Sequence, residues 1–420
     1  MSAISGTQRC KLRDGSYVVK VRCIDPNAIV VLNGLLQSQE RTIYALNARD
    51  LFDKPRIIKS KRGICDFSVI GSSAAAFQIV FCTNYGHVSC LKVQYPIANG
   101  NHYEQSTNRI AVAVWSVDLN ASLSCVITNG SLNFVACGVN TRESCAKYSK
   151  KSKKQSTEPQ LILFDPREFA AHTQNDISTT SYHRRVLSEF HSEKVLVTCV
   201  ERSLISDYLL LSGGTDGLIN LIDVLNVVED REDDALLMTY NAGSSVNSVG
   251  FANSDSWIYA VTDDNGVMVW NRDSAEQLLG IQHVASCLGR SFSSPAMFLL
   301  RCFSVADHLY LVITQPGVGL KLSITDWTVG QTKPSLMAEF DLFGDNDDQM
   351  ASSSGVQSCG DVERDGVVCC IDWEPTFRTL IAGTDSGIVA QVNRLSLASG
   401  THHTGTVKVV RSKKKRNKPY

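Results

Sequence analysis

The residues best suited to chemistry lie in one stretch, from His191 to Asp223. It contains His191, Ser212 and Asp216, which are side-chain types that act as bases, nucleophiles or orienting groups in many enzymes. Asp216 is followed by Gly217, and this pair separates two short apolar runs. Asp-Gly between apolar runs predicts a β-hairpin, because glycine adopts positive φ at no steric cost. The stretch therefore predicts two neighbouring strands joined by a polar turn.

The same stretch resembles a blade of the WD-repeat family. In that family a His precedes the first strand, a Ser or Thr lies on the second, an Asp lies in the next turn and Trp-Asp ends the third strand. The matching positions here hold His191, Ser212, Asp216 and Ile222-Asp223. The resemblance implies a structural hydrogen-bond network within the blade rather than a catalytic site. Since Ile222 has no indole N–H, we expect the network to stop one member short.

Other catalytic motifs do not occur in the sequence. It contains no G-x-S-x-G, H-E-x-x-H, P-loop or G-x-G-x-x-G pattern. The acid pairs Asp233-Asp234, Asp263-Asp264 and Asp347-Asp348 are interpreted as solvated turn residues, and His402-His403 as a solvated pair in a polar segment. We therefore predict a protein that is not an enzyme, with no cofactor and no metal site. A propeller enzyme that gathers ligands from several blades without a local motif is the alternative.

The composition is typical of a soluble globular protein. The chain has 420 residues, of which 43% are hydrophobic and 20% charged, with a formal net charge of −1. No overall field therefore favours nucleic acid or a membrane. The 14 cysteines include no C-x-x-C spacing, which argues against a zinc site or a disulfide framework. The sequence has no signal-like core and no long apolar run, so we expect an intracellular protein without a membrane segment.

Strand-like runs recur along the chain in groups of four, as expected for propeller blades of roughly 40–45 residues. Alternation of apolar and polar residues at period two dominates, and no long helical pattern competes with it. A glycine opens the third run in five groups: Gly86, Gly217, Gly266, Gly319 and Gly387. We predict an all-β fold, a seven-bladed WD-repeat-type β-propeller with four antiparallel strands per blade. Six or eight blades are the alternatives.

The predicted propeller spans residues 15–410, between an N-terminal arm at 1–14 and a basic C-terminal tail at 411–420. Three inserts low in apolar residues are predicted to be solvent-exposed loops that either connect blades or contact partners. They lie near 139–159, 225–234 and 341–364.

Two segments compete as the outer strand that closes the ring in the last blade. One is Gln8 to Leu12, before the first blade, and the other is Thr406 to Val410, after the last. The apolar alternation is cleaner in Thr406 to Val410, which favours closure by the C-terminal segment.

A second motif, Leu161 to Arg167, ends the third strand of the third blade. Three apolar residues are followed in it by Phe164, Asp165, Pro166 and Arg167. It resembles the box that WD-repeat receptors present to the propeller adaptor of cullin-4 ubiquitin ligases, with Phe164 in place of the usual Trp. The resemblance implies that Asp165 orients the loop and that Arg167 projects a guanidinium for bidentate pairing with the adaptor. An Asp-x-Arg strand end also has a purely local interpretation, as a turn.

The end of the chain carries a cluster of basic residues. Short basic clusters are typical of nuclear-localisation signals, and also of solvated tails. We predict that the tail binds import receptors and that the nucleus is favoured over the cytoplasm. The residues are Arg411, Lys413, Lys414, Lys415, Arg416 and Lys418.

The predicted function is a non-enzymatic scaffold for protein–protein interaction, a monomeric ring within a complex. The specific hypothesis is a substrate receptor for a cullin-4 ubiquitin ligase. The alternative is a nuclear nucleic-acid or ribonucleoprotein-associated factor that uses the basic insert and tail. Nucleic-acid retention that falls with salt and with deletion of the tail distinguishes the alternative.

Overall fold

The described residues of the computed structural model form seven antiparallel sheets of four strands each. The innermost strands of successive sheets contact one another, and the last contacts the first, so the sheets form a closed ring. The predicted all-β, seven-bladed propeller is confirmed. The structure describes residues 7–12, 15–25, 28–35, 38–47, 56–73, 76–94, 111–132, 134–140, 160–170, 185–188, 190–192, 196–203, 205–227, 232–287, 298–315, 321–331, 333–341, 367–376, 378–392 and 395.

In the first four blades the strands follow chain order from the ring axis outwards. The first strand of the chain, β1, belongs to blade 7, so blade 1 begins at β2. The strands of blade 1 are β2 (Ser16–Asp25), β3 (Ala28–Leu35), β4 (Glu40–Asn47) and β5 (Arg56–Arg62). Those of blade 2 are β6 (Ile64–Ser73), β7 (Ala76–Thr83), β8 (His87–Gln94) and β9 (Ala111–Asp118). Those of blade 3 are β10 (Leu123–Thr128), β11 (Val135–Val139), β12 (Leu161–Phe164) and β13 (Arg185–Leu187), and those of blade 4 are β14 (Val197–Arg202), β15 (Leu209–Gly214), β16 (Leu218–Asp223) and β17 (Leu236–Asn241).

The remaining blades repeat this order, except that the outer strand of blade 7 comes from the start of the chain. Blade 5 contains β18 (Val246–Ala252), β19 (Trp257–Thr262), β20 (Val267–Asn271) and β21 (Gln277–Ile281). Blade 6 contains β22 (Phe298–Val305), β23 (His308–Gln315), β24 (Lys321–Trp327) and β25 (Ser335–Asp341). Blade 7 contains β26 (Val368–Glu374), β27 (Thr379–Thr384), β28 (Ile388–Val392) and β1 (Thr7–Lys11). Short α-helical segments lie at Arg167–Ala170 and Val284–Cys287, and 3₁₀ turns at Val224–Asn226 and Glu232–Ala235.

The apolar core is divided into clusters that each lie between two neighbouring blades. Successive side chains of a strand point to opposite faces, so a central strand supplies two clusters at once. In β12, Leu161 and Leu163 pack towards blade 4, whereas Ile162 and Phe164 pack towards blade 2. Burial of both faces explains why the central strands are nearly continuous apolar runs.

The innermost strand of every blade carries a β-bulge near its start. One extra residue there interrupts the register with the second strand, which increases the local twist. The register shifts immediately after Val18, Ile64, Leu123, Val197, Val246, Leu299 and Val368.

The bulge residue connects neighbouring blades in three consecutive cases, through a hydrogen bond to the backbone of the next inner strand. Cys65 Sγ donates to Leu123 O at 3.1 Å. Ser124 Oγ donates to Val197 O at 2.5 Å, and Thr198 Oγ1 donates to Val246 O at 2.5 Å. We call this contact the bulge clasp. It ties blades 2, 3, 4 and 5 together at the ring axis.

The expectation that Thr406 to Val410 closes the ring was wrong. β1 pairs antiparallel with β28, from Thr7 opposite Val392 to Lys11 opposite Ile388, and completes the sheet of blade 7. The strand therefore comes from within the segment expected to be an N-terminal arm. An outermost strand is held chiefly by backbone hydrogen bonds, so its apolar alternation is a poor guide to closure. Thr406 to Val410 lies outside the described residues.

Of the three predicted inserts, residues 141–159 and 342–366 lie outside the described part of the chain. The acidic insert near 225–234 is partly described, and it is flanked by the 3₁₀ turns at Val224–Asn226 and Glu232–Ala235. Asp223 caps the first turn, since its Oδ1 accepts a hydrogen bond from Leu225 N at 2.9 Å. The predicted loop thus contains local helical structure at both of its ends.

Candidate functional site

The structure brings His191, Ser212 and Asp216 together at one end of blade 4. His191 Nδ1 lies 3.2 Å from both carboxylate oxygens of Asp216. His191 Nε2 lies 3.0 Å from Ser212 Oγ. A proton on Nδ1 donates to the carboxylate, and this tautomer leaves Nε2 as the acceptor. The order of groups is that of an Asp-His-Ser triad, so accessibility decides what it can do.

Ser212 and the His191 side chain are fully buried, so the hydroxyl cannot reach a substrate. The network instead continues into the blade. Asn220 pairs with Ser212 across the hairpin, and its Nδ2 lies 3.3 Å from His191 Nε2. Asn220 Oδ1 accepts from Thr239 Oγ1 at 2.7 Å. These contacts link the second, third and fourth strands of blade 4. They support a structural role for His191, Ser212 and Asp216.

The expectation that the network stops one member short, because Ile222 has no indole N–H, needs correction. Ile222 is buried in the apolar cluster between blades 3 and 4, and Asn220, two residues earlier on the same strand, takes the polar role. The sequence held a usable signal, because a symmetric hairpin around Asp216 and Gly217 places Asn220 opposite Ser212. A search restricted to the usual Trp position misses it.

Asp216 also fixes the turn that carries it. Its carboxylate accepts hydrogen bonds from Ser192 N at 2.9 Å and Leu218 N at 3.1 Å. Burial opposes ionisation, but the bonds from His191 and the two backbone groups outweigh it, so the pKa of Asp216 lies below its ordinary value. Gly217 follows with φ of 81°, and a Cβ there would approach Ser244 O to 3.0 Å. A larger residue does not fit this turn.

The motif at Phe164, Asp165 and Arg167 lies on the opposite face of the ring, which carries the loops between strands 1 and 2 and between strands 3 and 4 of each blade. We call it the Arg167 face. Phe164 is buried edge-on against Trp115, with ring centroids 5.9 Å apart. Arg167 is 65% exposed. The aromatic residue therefore anchors the strand end, and the arginine is presented to solvent.

Asp165 holds Arg167 through a fork of hydrogen bonds. Arg167 Nε donates to Asp165 Oδ1 at 2.9 Å, Arg167 Nη2 donates to Oδ2, and Arg167 N donates to Oδ1 at 2.9 Å. The side-chain bond from Arg167 is the main reason that the pKa of Asp165 is lowered. The Nε–Nη2 edge of the guanidinium is thus occupied within the protein, and the Nη1–Nη2 edge lies outside this pair. The expected bidentate pairing of Arg167 with the adaptor would therefore use the Nη1–Nη2 edge.

Three apolar side chains are exposed on the same face, on the loops of blade 4. Ile205 is 69% exposed, Leu225 59% and Tyr208 39%. Tyr208 lies within electrostatic range of Arg167 in the neighbouring blade, and its carbonyl accepts from Val224 N at 2.8 Å. Tyr208 therefore lies near the arginine.

Buried or capping carboxylates hold the backbone beneath two of these apolar side chains. Asp255, which is buried, accepts from Ile205 N at 3.1 Å and also from Ser203 Oγ. Asp223 accepts from Leu225 N at 2.9 Å. These bonds hold the backbone that carries Ile205 and Leu225, whereas Asp165 holds the side chain of Arg167 itself.

Four charged groups meet at the ring axis, and sequence reasoning did not find them. Arg22 Nη1 lies 2.8 Å from Asp372 Oδ1, and Arg22 Nη2 lies 3.6 Å from Glu201 Oε2. Arg301 Nη1 lies 3.5 Å from Asp372 Oδ1, and Arg301 Nη2 lies 3.5 Å from Glu201 Oε2. These residues lie on the inner strands of blades 1, 4, 6 and 7. Blades 1 and 4 are not neighbours, so the contacts cross the axis.

The axial cluster carries two positive and two negative charges, which balance. Burial disfavours the Arg22 cation, but Asp372 and then Glu201 outweigh this, and the pKa of Arg22 is raised above its ordinary value. Asp372 Oδ2 also accepts from Cys23 N at 2.8 Å. Because every charge already faces an opposite one, the cluster acts as a brace for the ring rather than as a site for a charged ligand.

Several residues singled out in the sequence lie outside the described part of the chain. The tail residues from Arg411 to Lys418, the pair Asp347-Asp348 and the pair His402-His403 lie outside the described residues. Within the described part, no group of three or more His, Cys, Asp or Glu side chains is arranged to hold a metal ion. Likewise, no helix there has the length and apolarity needed to cross a membrane.

No family model matches the chain. Among solved structures, it is similar to the β-propeller domain of Cps50 (Swd1) from Myceliophteria thermophila, with a TM-score of 0.52 and 14% identity. The similarity covers 92% of this chain and 98% of that chain. The fold is that of a seven-bladed β-propeller. At this identity the likeness extends to the fold alone, so the function must be argued from the residues of this propeller.

Proposed function

We propose that this propeller is a non-enzymatic platform for protein–protein interaction and that its Arg167 face binds the partner. The observation that carries the proposal is a group of exposed residues whose side chain or backbone is bound by carboxylates: Arg167 through its side chain, and Ile205 and Leu225 through their backbone N–H groups, with Tyr208 also exposed. Arginine and tyrosine are enriched among residues that dominate binding energy. Groups that are ordered before binding lose less entropy when the complex forms.

The specific partner that we propose is the propeller adaptor of cullin-4 ubiquitin ligases. Support comes from the Phe164, Asp165 and Arg167 motif, whose arginine is exposed and whose pair with Asp165 does not use the Nη1–Nη2 edge. A carboxylate of the adaptor can pair with that edge, and its apolar residues can cover Ile205 and Leu225.

Arg167→Ala is expected to weaken binding of the purified adaptor at least about tenfold, which corresponds to roughly 1.4 kcal/mol. The measurement is a titration of the adaptor against wild type and variant at equal folded concentration. The matched control is Arg272→Ala, since Arg272 also follows a third strand on this face and pairs with Asp273 at 2.7 Å. Equal binding to all three proteins, or no binding to wild type, would exclude the adaptor role of Arg167.

We also propose that the basic tail directs nuclear import. The support is its sequence, with six positive charges between Arg411 and Lys418. A reporter fused to residues 405–420 is expected to accumulate in the nucleus, and the same fusion with all six basic residues changed to alanine is expected to remain evenly distributed. Cytoplasmic retention of the unaltered fusion would rule out the signal.

The chain further resembles WD repeat-containing protein 89 between His191 and Asn271, and we propose that the two are related. The support is a set of segments in the same order across two adjacent blades, including Ser212 to Asn220 and Asp264 to Gly266. This resemblance adds no reaction, substrate or cofactor, and is consistent with an interaction platform.

A further inference from the structure

Two thiols lie in contact on the first and second strands of blade 2. Cys65 is the extra residue of the bulge in β6, and Cys82 lies on β7, where it pairs with Asp66. Their Sγ atoms are 3.6 Å apart, compared with about 2 Å in a disulfide. Cys82 is fully buried, whereas Cys65 is half-buried. A small oxidant therefore reaches this pair through Cys65.

The role of Cys65 in the bulge clasp does not by itself explain a cysteine. The equivalent donors in the next two blades are the hydroxyls of Ser124 and Thr198. A hydroxyl is a stronger donor than a thiol, so serine would serve the clasp to Leu123 at least as well. What a cysteine at position 65 adds is the ability to form a disulfide with Cys82, whose Sγ lies 3.6 Å away.

We propose that Cys65 and Cys82 are a redox-active pair that forms a reversible disulfide when the protein meets a hydroperoxide. The Cys65 sulfur attacks the O–O bond, which breaks, and yields a sulfenic acid and one molecule of water or alcohol. The Cys82 sulfur then attacks the Cys65 sulfur, the S–S bond forms, and the hydroxyl leaves as water with the Cys82 proton. Two thiols are oxidised by two electrons and the peroxide is reduced by two.

The surroundings of the pair set the rate of this chemistry and its effect on the ring. Burial raises the pKa of the Cys82 thiol, so closure of the disulfide is expected to accelerate with rising pH. Oxidation removes the hydrogen that Cys65 donates to Leu123 O. Between the inner strands of blades 2 and 3, the hydrogen bond from Val126 N to Asp66 Oδ2 at 2.9 Å remains. The disulfide thus exchanges a link between blades for one within a blade.

The test uses the folded full chain, treated with hydrogen peroxide, denatured with an alkylating reagent and mapped by mass spectrometry. We expect a cross-linked peptide joining Cys65 and Cys82, lower in mass by two hydrogens than the two thiol peptides and returned to thiols by dithiothreitol. Cys65→Ser and Cys82→Ser are each expected to abolish it. Cys90→Ser, a buried cysteine on the third strand of the same blade, is the matched control and should retain it.

Two results would overturn the proposal. One is that Cys65 and Cys82 both remain alkylatable while the exposed Cys369 is oxidised under the same conditions. The other is that Cys65 accumulates as sulfinic acid without any bond to Cys82. Should Cys82→Ser fold poorly, Cys65→Ser decides the matter, because its hydroxyl keeps the bulge clasp while removing the pair.

Discussion

Asp372→Ala is expected to destabilise the propeller by about 3 kcal/mol, at the low end of the range for removing one partner of a buried ion pair. Asp372 is 8% exposed and accepts from Arg22 Nη1 and Cys23 N, both at 2.8 Å. Its loss leaves Arg22 and Arg301 sharing only Glu201 at the ring axis. The figure stays near the low end because both arginines remain half-buried rather than fully removed from water.

The measurement is urea unfolding of wild type and variant, with the free energy taken from the midpoint and slope. Asp372→Asn is expected to lose less, since an amide oxygen still accepts from Cys23 N. The matched control is Asp273→Ala, which removes an exposed acid paired with Arg272 and should change stability by well under about 1 kcal/mol. Equal losses for Asp372→Ala and Asp273→Ala would mean that the axial cluster does not brace the ring.

Asp216→Ala is expected to cost roughly 1.5–3 kcal/mol, the range for hydrogen bonds to a charged group. The carboxylate accepts from His191 Nδ1, Ser192 N and Leu218 N, so its removal leaves a buried imidazole N–H without its acceptor. The melting temperature should fall, while the affinity for any partner of the Arg167 face should not change at equal folded concentration. An unchanged melting temperature would show that the network does not hold blade 4 together.

The same variant has a pH signature. The folded-state pKa of Asp216 lies below its ordinary value, so the carboxylate contributes stability above the unfolded pKa, near 3.9, and loses it as pH falls through the folded pKa. The difference in stability between wild type and Asp216→Ala should therefore be level from neutral pH down to about pH 5 and shrink below about pH 4. Urea unfolding across this range checks it, and a difference that grows on acidification would contradict the assignment.

The blades were predictable because their signals are local. Period-two alternation and turns such as Asp216-Gly217 define each hairpin within a few residues, and seven similar sheets then fit a closed ring. The closing strand was not predictable in this way. Thr7–Lys11 carries a polar sequence, and its pairing with Ile388–Val392 joins the two ends of the propeller through backbone groups that every residue possesses.

The two polar clusters differ in how far they could be predicted, for the same reason. His191, Ser212 and Asp216 belong to one blade, so a repeat pattern is enough to place them together. Arg22 and Asp372 are nearly the whole chain apart, and nothing in the alternation of either strand marks the other as its partner. The inner strands of separate blades face one axis only when the ring is closed, and the charged cluster forms there.

The position of β1 has a consequence for how the protein is made. A ribosome releases Thr7–Lys11 before the strands of blades 1 to 6, but Ile388–Val392, with which it pairs, only after all of them. Until then the nascent chain carries a segment whose strand partner does not yet exist. Unpaired strands can associate wrongly, so this segment is open to such associations until Ile388–Val392 has been made. The ring can be closed by this strand pair only after the last blade has been translated.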